Sequence, residues 1–108
     1  MENILLMYYV PKDSAKAVAQ ACFLAGAGEI GQYKNCCWTT AGLGQFKPLV
    51  GAEPFVGKVN KLHVEPELKV EMICKLKIWP EVEKALLASH PYETPAYYVL
   101  SILNSSRI

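Results

Sequence analysis

A chain of 108 residues with a formal net charge of +1 has room for one domain with a modest core, spanning 1–108, and offers no electrostatic footprint for nucleic acid or an anionic membrane. Charged residues make up only 19% of it, so more apolar surface is present than one small core hides, and self-association is the expected outlet. Met1-Glu2-Asn3 lacks the positive flank of a signal peptide and the apolar run behind it is too short to span a membrane, so the expectation is a cytoplasmic chain with reduced thiols.

Ile4 to Val10 is a near-continuous apolar run of strand length, ended by Pro11. Ala15, Val18, Ala19, Cys22, Phe23 and Gly26 then recur at helical spacing, with Asp13 or Ser14 placed to cap the start and Gly26 or Gly28 to end it. Tyr33, Cys36, Cys37, Trp38 and Thr39 predict a second strand over Gln32 to Thr40. Glycines and prolines follow, and the segment from Gly42 to Asn60 reads as one long connection, of a length that usually carries function or lacks order. Val64 to Leu76 alternates, with Leu68, Val70, Met72, Cys74 and Leu76 on one side and Glu67, Lys69, Glu71 and Lys75 on the other, which predicts a half-buried third strand. Pro80 suits the first turn of a second helix that continues through Val82, Ala85, Leu86 and Ser89 until His90 and Pro91 stop it. A last strand spans Ala96 to Leu103.

The order strand, helix, strand, strand, helix, strand is that of the ferredoxin-like α+β fold, an antiparallel sheet with both helices on one face. One sheet face is then left open, and the apolar first and last strands place Met7, Tyr9, Tyr98 or Leu100 on it. Each large side chain exposed there forgoes about 1.5 to 3 kcal/mol of burial, which favours cover by another subunit or a ligand.

Two segments carry the candidate chemistry. In the long connection Gly42, Gly44, Gly51 and Gly57 can turn backbone N–H groups toward an anion, with Lys34, Lys47, Lys58 and Lys61 adding charge. No named nucleotide motif is present, and the bland alternative is an ordered loop pinned by Phe46, Leu49, Val50 and Phe55. In Ser89-His90-Pro91-Tyr92-Glu93-Thr94-Pro95, two prolines stiffen a corner that presents an imidazole, a phenol and a carboxylate. His90, Tyr92 and Glu93 either line a polar pocket at a subunit junction or form a structural corner, with His90 capping the second helix, Glu93 paired to a lysine and Tyr92 packing its ring. His63 has no partner at ligand spacing. Cys22 and Cys74 read as core residues, Cys36 and Cys37 as strand neighbours pointing to opposite faces, and Trp38 and Trp79 as core or interface residues. Ser89 beside His90 forms no recognisable nucleophile and base arrangement, and Glu65, Glu67 and Glu71 fall on a strand face that solvates itself, so an enzyme is the weaker reading.

Gly26-Ala27-Gly28-Glu29-Ile30-Gly31-Gln32-Tyr33, the stretch from Thr40 to Gly57, and His90 to Tyr97 together resemble the Nif-three-like family, and the chain is similar over nearly its full length to the inserted domain that interrupts the larger dimetal proteins of that family. The resemblance implies a free-standing relative without their metal centre, since only His63 and His90 are present; Thr94 and Tyr98 stand where the family pattern has acidic residues. The corner from His90 to Pro95 also resembles that of the CutA proteins, which with the PII signalling proteins implies a trimeric assembly and a functional loop between the second and third strands. The expectation is a non-catalytic, PII- or CutA-like homo-oligomer, a trimer by that resemblance, needing no cofactor and binding a small anionic ligand or a partner protein near Gly42, Gly44, Phe46, Lys47, Gly51, Gly57, His90, Tyr92 and Glu93. The alternative is a copper- or zinc-binding protein using His90, Glu93 and Cys36 or Cys37, and a weaker one is an enzyme with its site at a subunit junction.

Overall fold

The computed structural model describes residues 2–103. Strand β1 (Asn3–Pro11) leads through a 3₁₀ turn into helix α1 (Ala15–Leu24), followed by β2 (Trp38–Phe46), β3 (His63–Lys75), a second 3₁₀ turn, helix α2 (Trp79–Ser89) and β4 (Tyr97–Ile102). The four strands form one antiparallel sheet in the order β2-β3-β1-β4, which is the ferredoxin-like topology the element order predicts.

Strand alternation divides the sheet into two unlike faces. Ile4, Leu6, Tyr8 and Val10 of β1 and Val70, Met72 and Cys74 of β3 point to the helices and are buried against Val18 and Cys22 of α1 and Val82 and Leu86 of α2. Burial pushes the Cys22 thiol up to about 12 and the Cys74 thiol up to about 11, so both behave as small apolar core residues. Leu76 departs from the expected inward row: it lies in the turn past the end of β3 and is exposed. On the opposite face Leu5, Met7 and Tyr9 are half-buried, while Tyr98 and Leu100 of β4 and Trp38 of β2 are exposed. That face is apolar along β1 and β4 and charged along β3, where Glu65, Lys69 and Glu71 stand.

The cap of α1 and the span of β2 differ from the sequence reading, while the end of α1 near Gly26 agrees with it. The start of α1 is prepared by the 3₁₀ turn over Lys12–Ser14 rather than by a side-chain cap from Asp13 or Ser14, and its end is at Gly26, whose φ of 111° only glycine adopts freely. The second strand begins at Trp38 instead of Gln32 and runs to Phe46, so Cys36 and Cys37 precede it and Gly42 and Gly44 lie inside it. Glycine is a poor strand former, but pairing over the whole of β2 with β3, from Trp38 opposite Glu71 to Phe46 opposite His63, overrides that local preference. The long connection is therefore 47–62.

β3 is also longer than its neighbour. β1 ends at Pro11 opposite Glu67, so residues 63–66 pair only with β2 and the hairpin they form runs past the end of β1, giving extents of 47 × 24 × 23 Å. No helix among the described residues is long and apolar enough to cross a membrane.

Candidate functional site

Glu67 sits where β1 ends, between Pro11 and Gly42 in the sheet, and its side chain belongs to the helix-free face. The sequence places it in a solvated row with Glu65 and Glu71, yet it is only 8% exposed. The Tyr92 hydroxyl donates to its Oε2 at 2.6 Å. Gly44, two pairs from Phe46's end of β2 and diagonal to Glu67, leaves the space: a Cβ at that position would fall on the Glu67 carboxylate. This glycine is thus required by close approach, not by an anion-binding turn. Removal from solvent, then the bond to Glu67, raises the Tyr92 phenol above its usual range, so it keeps its proton and remains the donor.

The corner after α2 is built on His90. Its backbone N–H closes the helix on the Leu86 carbonyl, and its extended backbone, set by Pro91, turns the ring toward β1. His90 Nε2 lies 2.7 Å from the Tyr9 carbonyl and the Tyr92 N–H donates to Nδ1 at 3.1 Å. A carbonyl can only accept and an amide N–H can only donate, so the ring is the neutral Nε2–H tautomer. At 6% exposure, burial lowers the His90 pKa against the opposing pull of the Tyr9 carbonyl and Glu67. The ring does not bond the last carbonyls of α2, as the capping expectation had it; it ties the corner to β1 across the sheet's end.

Tyr92 packs as expected, its ring centroid 5.1 Å from His90, 5.8 Å from Phe46 and 6.4 Å from Phe55. Glu93 takes no lysine partner: its Oε1 accepts the Glu53 backbone N–H at 3.0 Å, which fastens the 47–62 connection to the corner. Between them lies a cavity of about 610 Å³ walled by Tyr9, Phe46, Phe55, Glu67, Tyr92 and Glu93 among others, a size suited to a small molecule.

The remaining expected site residues are distributed unequally. Gly44, Phe46 and Lys47 line the cavity, whereas Gly42 lines a smaller recess beside it, and Gly51 and Gly57 have φ of 98° and 93° outside it. Lys47 is the one lysine in the wall, set against two carboxylates, which is the reverse of the charge an anion cradle needs. Of the residues expected to pin the connection, Phe46 and Phe55 meet the Tyr92 ring, but Phe55, Leu49 and Val50 are all exposed. His63 has a partner after all: its Nε2 lies 2.7 Å from Glu65 Oε1, and its ring is 5.2 Å from Phe46. Among the described residues no three of His, Cys, Asp and Glu gather as a metal site. Ser89 donates its hydroxyl to the Ala85 carbonyl at 2.7 Å, away from the His90 ring's own bonds. Trp79 packs on Tyr97 at 6.2 Å, and Trp38 is 69% exposed on the helix-free face. Sequence reasoning missed Glu67 and Tyr9, because only the register of β2 on β3 brings a glycine under that carboxylate.

No family model matches the chain. A Bacillus subtilis protein named GTP cyclohydrolase 1 type 2 homolog is 40% identical over 97 residues, covering 90% of this chain and 26% of that protein. Its namesake in Mycobacterium tuberculosis is 41% identical over 95 residues, with 88% and 25% covered. The chain thus spans about a quarter of the length of the curated relatives it matches. Among solved structures, a Bacillus cereus protein related to NIF3 superposes with a TM-score of 0.81 at 33% identity, over 94% of this chain and 26% of that one. CutA from Synechococcus elongatus superposes with a TM-score of 0.68 at 19% identity, over 94% and 78%, a likeness of fold.

Proposed function

We propose that this chain, a relative of one segment of the NIF3-related proteins, is a non-catalytic ligand-binding or interaction module of the PII/CutA-like type that works as a homo-oligomer. The cavity of about 610 Å³ between the 47–62 connection and the proline-bounded corner carries the reading. Its walls are held by bonds that serve no other evident end: Tyr92 to Glu67, and Glu93 to the backbone of Glu53. The relatives' name speaks of much longer proteins, of which the match covers 26%, so their activity is no part of the proposal. Self-association rests on Tyr98, Leu100 and Trp38, which lie exposed on the helix-free face beside half-buried Leu5, Met7 and Tyr9.

Amide NMR of the whole chain against a set of small aromatic compounds tests the cavity. Shifts are expected at residues 43–56 and 91–95, and a set that perturbs only the surface elsewhere, or nothing, defeats it. Sedimentation at micromolar concentration tests the assembly separately, a monomer being the adverse result. The rival reading, a divalent metal on His90 and Glu93 with Cys36 or Cys37, must take a histidine whose two ring nitrogens are already bonded. Calorimetry with copper and zinc on the parent chain and His90→Ala decides it, since equal or absent heats remove the metal reading.

A further inference from the structure

The cavity's chemistry points to a class of ligand, and the inference rests on the cavity reading above. Glu67 is a carboxylate taken almost wholly out of water, with a tyrosine hydroxyl on Oε2. A buried carboxylate accepts at about four positions and is costly to bury without charge compensation. The one contact of ion-pair length among the described residues is that of His63 with Glu65, so Glu67 has no cationic side chain paired with it there. His90, the imidazole whose protonation Glu67 would favour, is held neutral by its two bonds. Around this acceptor stand the rings of Tyr9, Phe46, Phe55 and Tyr92, and the same wall holds a second carboxylate, Glu93, and a single lysine, Lys47, so carboxylates outnumber ammonium groups two to one. The rings are inclined, Tyr92 at 61° to Phe46 and 53° to Phe55, so they enclose space instead of stacking it shut. Aromatic rings around a carboxylate form an environment that attracts an ammonium group by the ring quadrupole and by charge together, and repels an anion.

We propose that the cavity binds a small organic cation, an amine or quaternary ammonium with an apolar body, its nitrogen held by Glu67 and the ring set and its body lying along Phe46 and Phe55. A cation completes the charge balance of Glu67 without disturbing the Tyr92 bond. It also reverses the anionic ligand that the glycine and lysine content of the connection suggested.

Three probes of one shape test this on the full chain by amide NMR titration: 2-phenylethylammonium, neutral 2-phenylethanol and anionic phenylacetate. The ammonium is expected to bind at least tenfold tighter than the alcohol, with phenylacetate weakest. Glu67→Gln, which keeps size and the Tyr92 bond, is expected to reduce ammonium affinity at least tenfold and to leave the alcohol within about twofold. Phe55→Ala, at an exposed ring whose loss does not threaten the core, should weaken the ammonium several-fold. Equal binding of ammonium and alcohol, or an unchanged Glu67→Gln, overturns the cation while leaving the cavity intact. Tighter phenylacetate overturns it in favour of an anion, and no binding of any probe removes cavity and cation together.

Discussion

The two faces of the sheet are made by alternate residues of the same strands, and they have opposite fates. Toward the helices, Leu6, Tyr8 and Val10 are wholly enclosed by Val18, Val82, Leu86 and their neighbours. Toward the other side, Met7 and Tyr9 are half-covered and Leu100 is 52% exposed, while the charged row of β3 runs between them and β2. The first face is finished within the chain, so its residues report on folding. The second is finished only where the corner and the 47–62 connection reach over it, and there it holds a cavity with a buried carboxylate instead of a packed core. The contrast separates what the chain needs to fold from what it has left for recognition.

The contrast can be broken most forcefully at the enclosed face. Leu86→Ala removes a fully buried side chain and is expected to cost about 3 kcal/mol in urea unfolding; a loss under about 1 kcal/mol means that the core is looser than the packing indicates. His90→Ala, which strips two bonds from the hinge between the faces, is expected to cost about 2 kcal/mol. The same ring sets a pH dependence. Its folded pKa lies below the ordinary 6.5, so as pH falls under 6.5 the unfolded chain takes up a proton that the folded ring refuses, and stability declines until the folded pKa is passed. Urea midpoints between pH 7.5 and 5 should fall for the parent chain and fall less for His90→Gln; equal slopes remove the histidine from the account. Gly44→Ala pushes the Glu67 carboxylate off its seat and is expected to cost about 1 kcal/mol, together with loss of the Tyr92 hydroxyl bond seen as a changed tyrosine titration. Leu100→Ala on the open face should change monomer stability by less than about 0.5 kcal/mol while weakening the proposed self-association, as read by sedimentation. A large folding defect there would erase the distinction between the faces.

Much of the fold was legible because apolar periodicity speaks directly to burial. The alternation from Leu68 to Cys74 marked the inward row of β3, and Pro80 and His90 marked the ends of α2 within a residue. β2 was misplaced because Tyr33, Cys36 and Cys37 have higher strand preference than Gly42 and Gly44, and strand pairing, a property of two distant segments, outweighed it. The corner was recognised by its prolines, and Tyr92 and Glu93 were named from it. What His90 does there was not legible, since its partner is a carbonyl eighty-one residues away that any residue at position 9 would supply. Glu67 was hidden for a related reason. Its neighbours at 65, 69 and 71 are more open to solvent, and periodicity alone assigns all of them one environment.

The hairpin overhang past Pro11 bears on how anything could meet this end of the molecule. Over residues 63–66 the side of β3 turned away from β2 has no β1 backbone beside it, which in most sheets is an invitation to a foreign strand. Pro66 sits in that stretch and contributes no amide hydrogen, so an intruding strand would find the ladder interrupted. Growth of the sheet by edge addition is thereby discouraged at the end of β3 that precedes Glu67, and contacts made there are left to side chains.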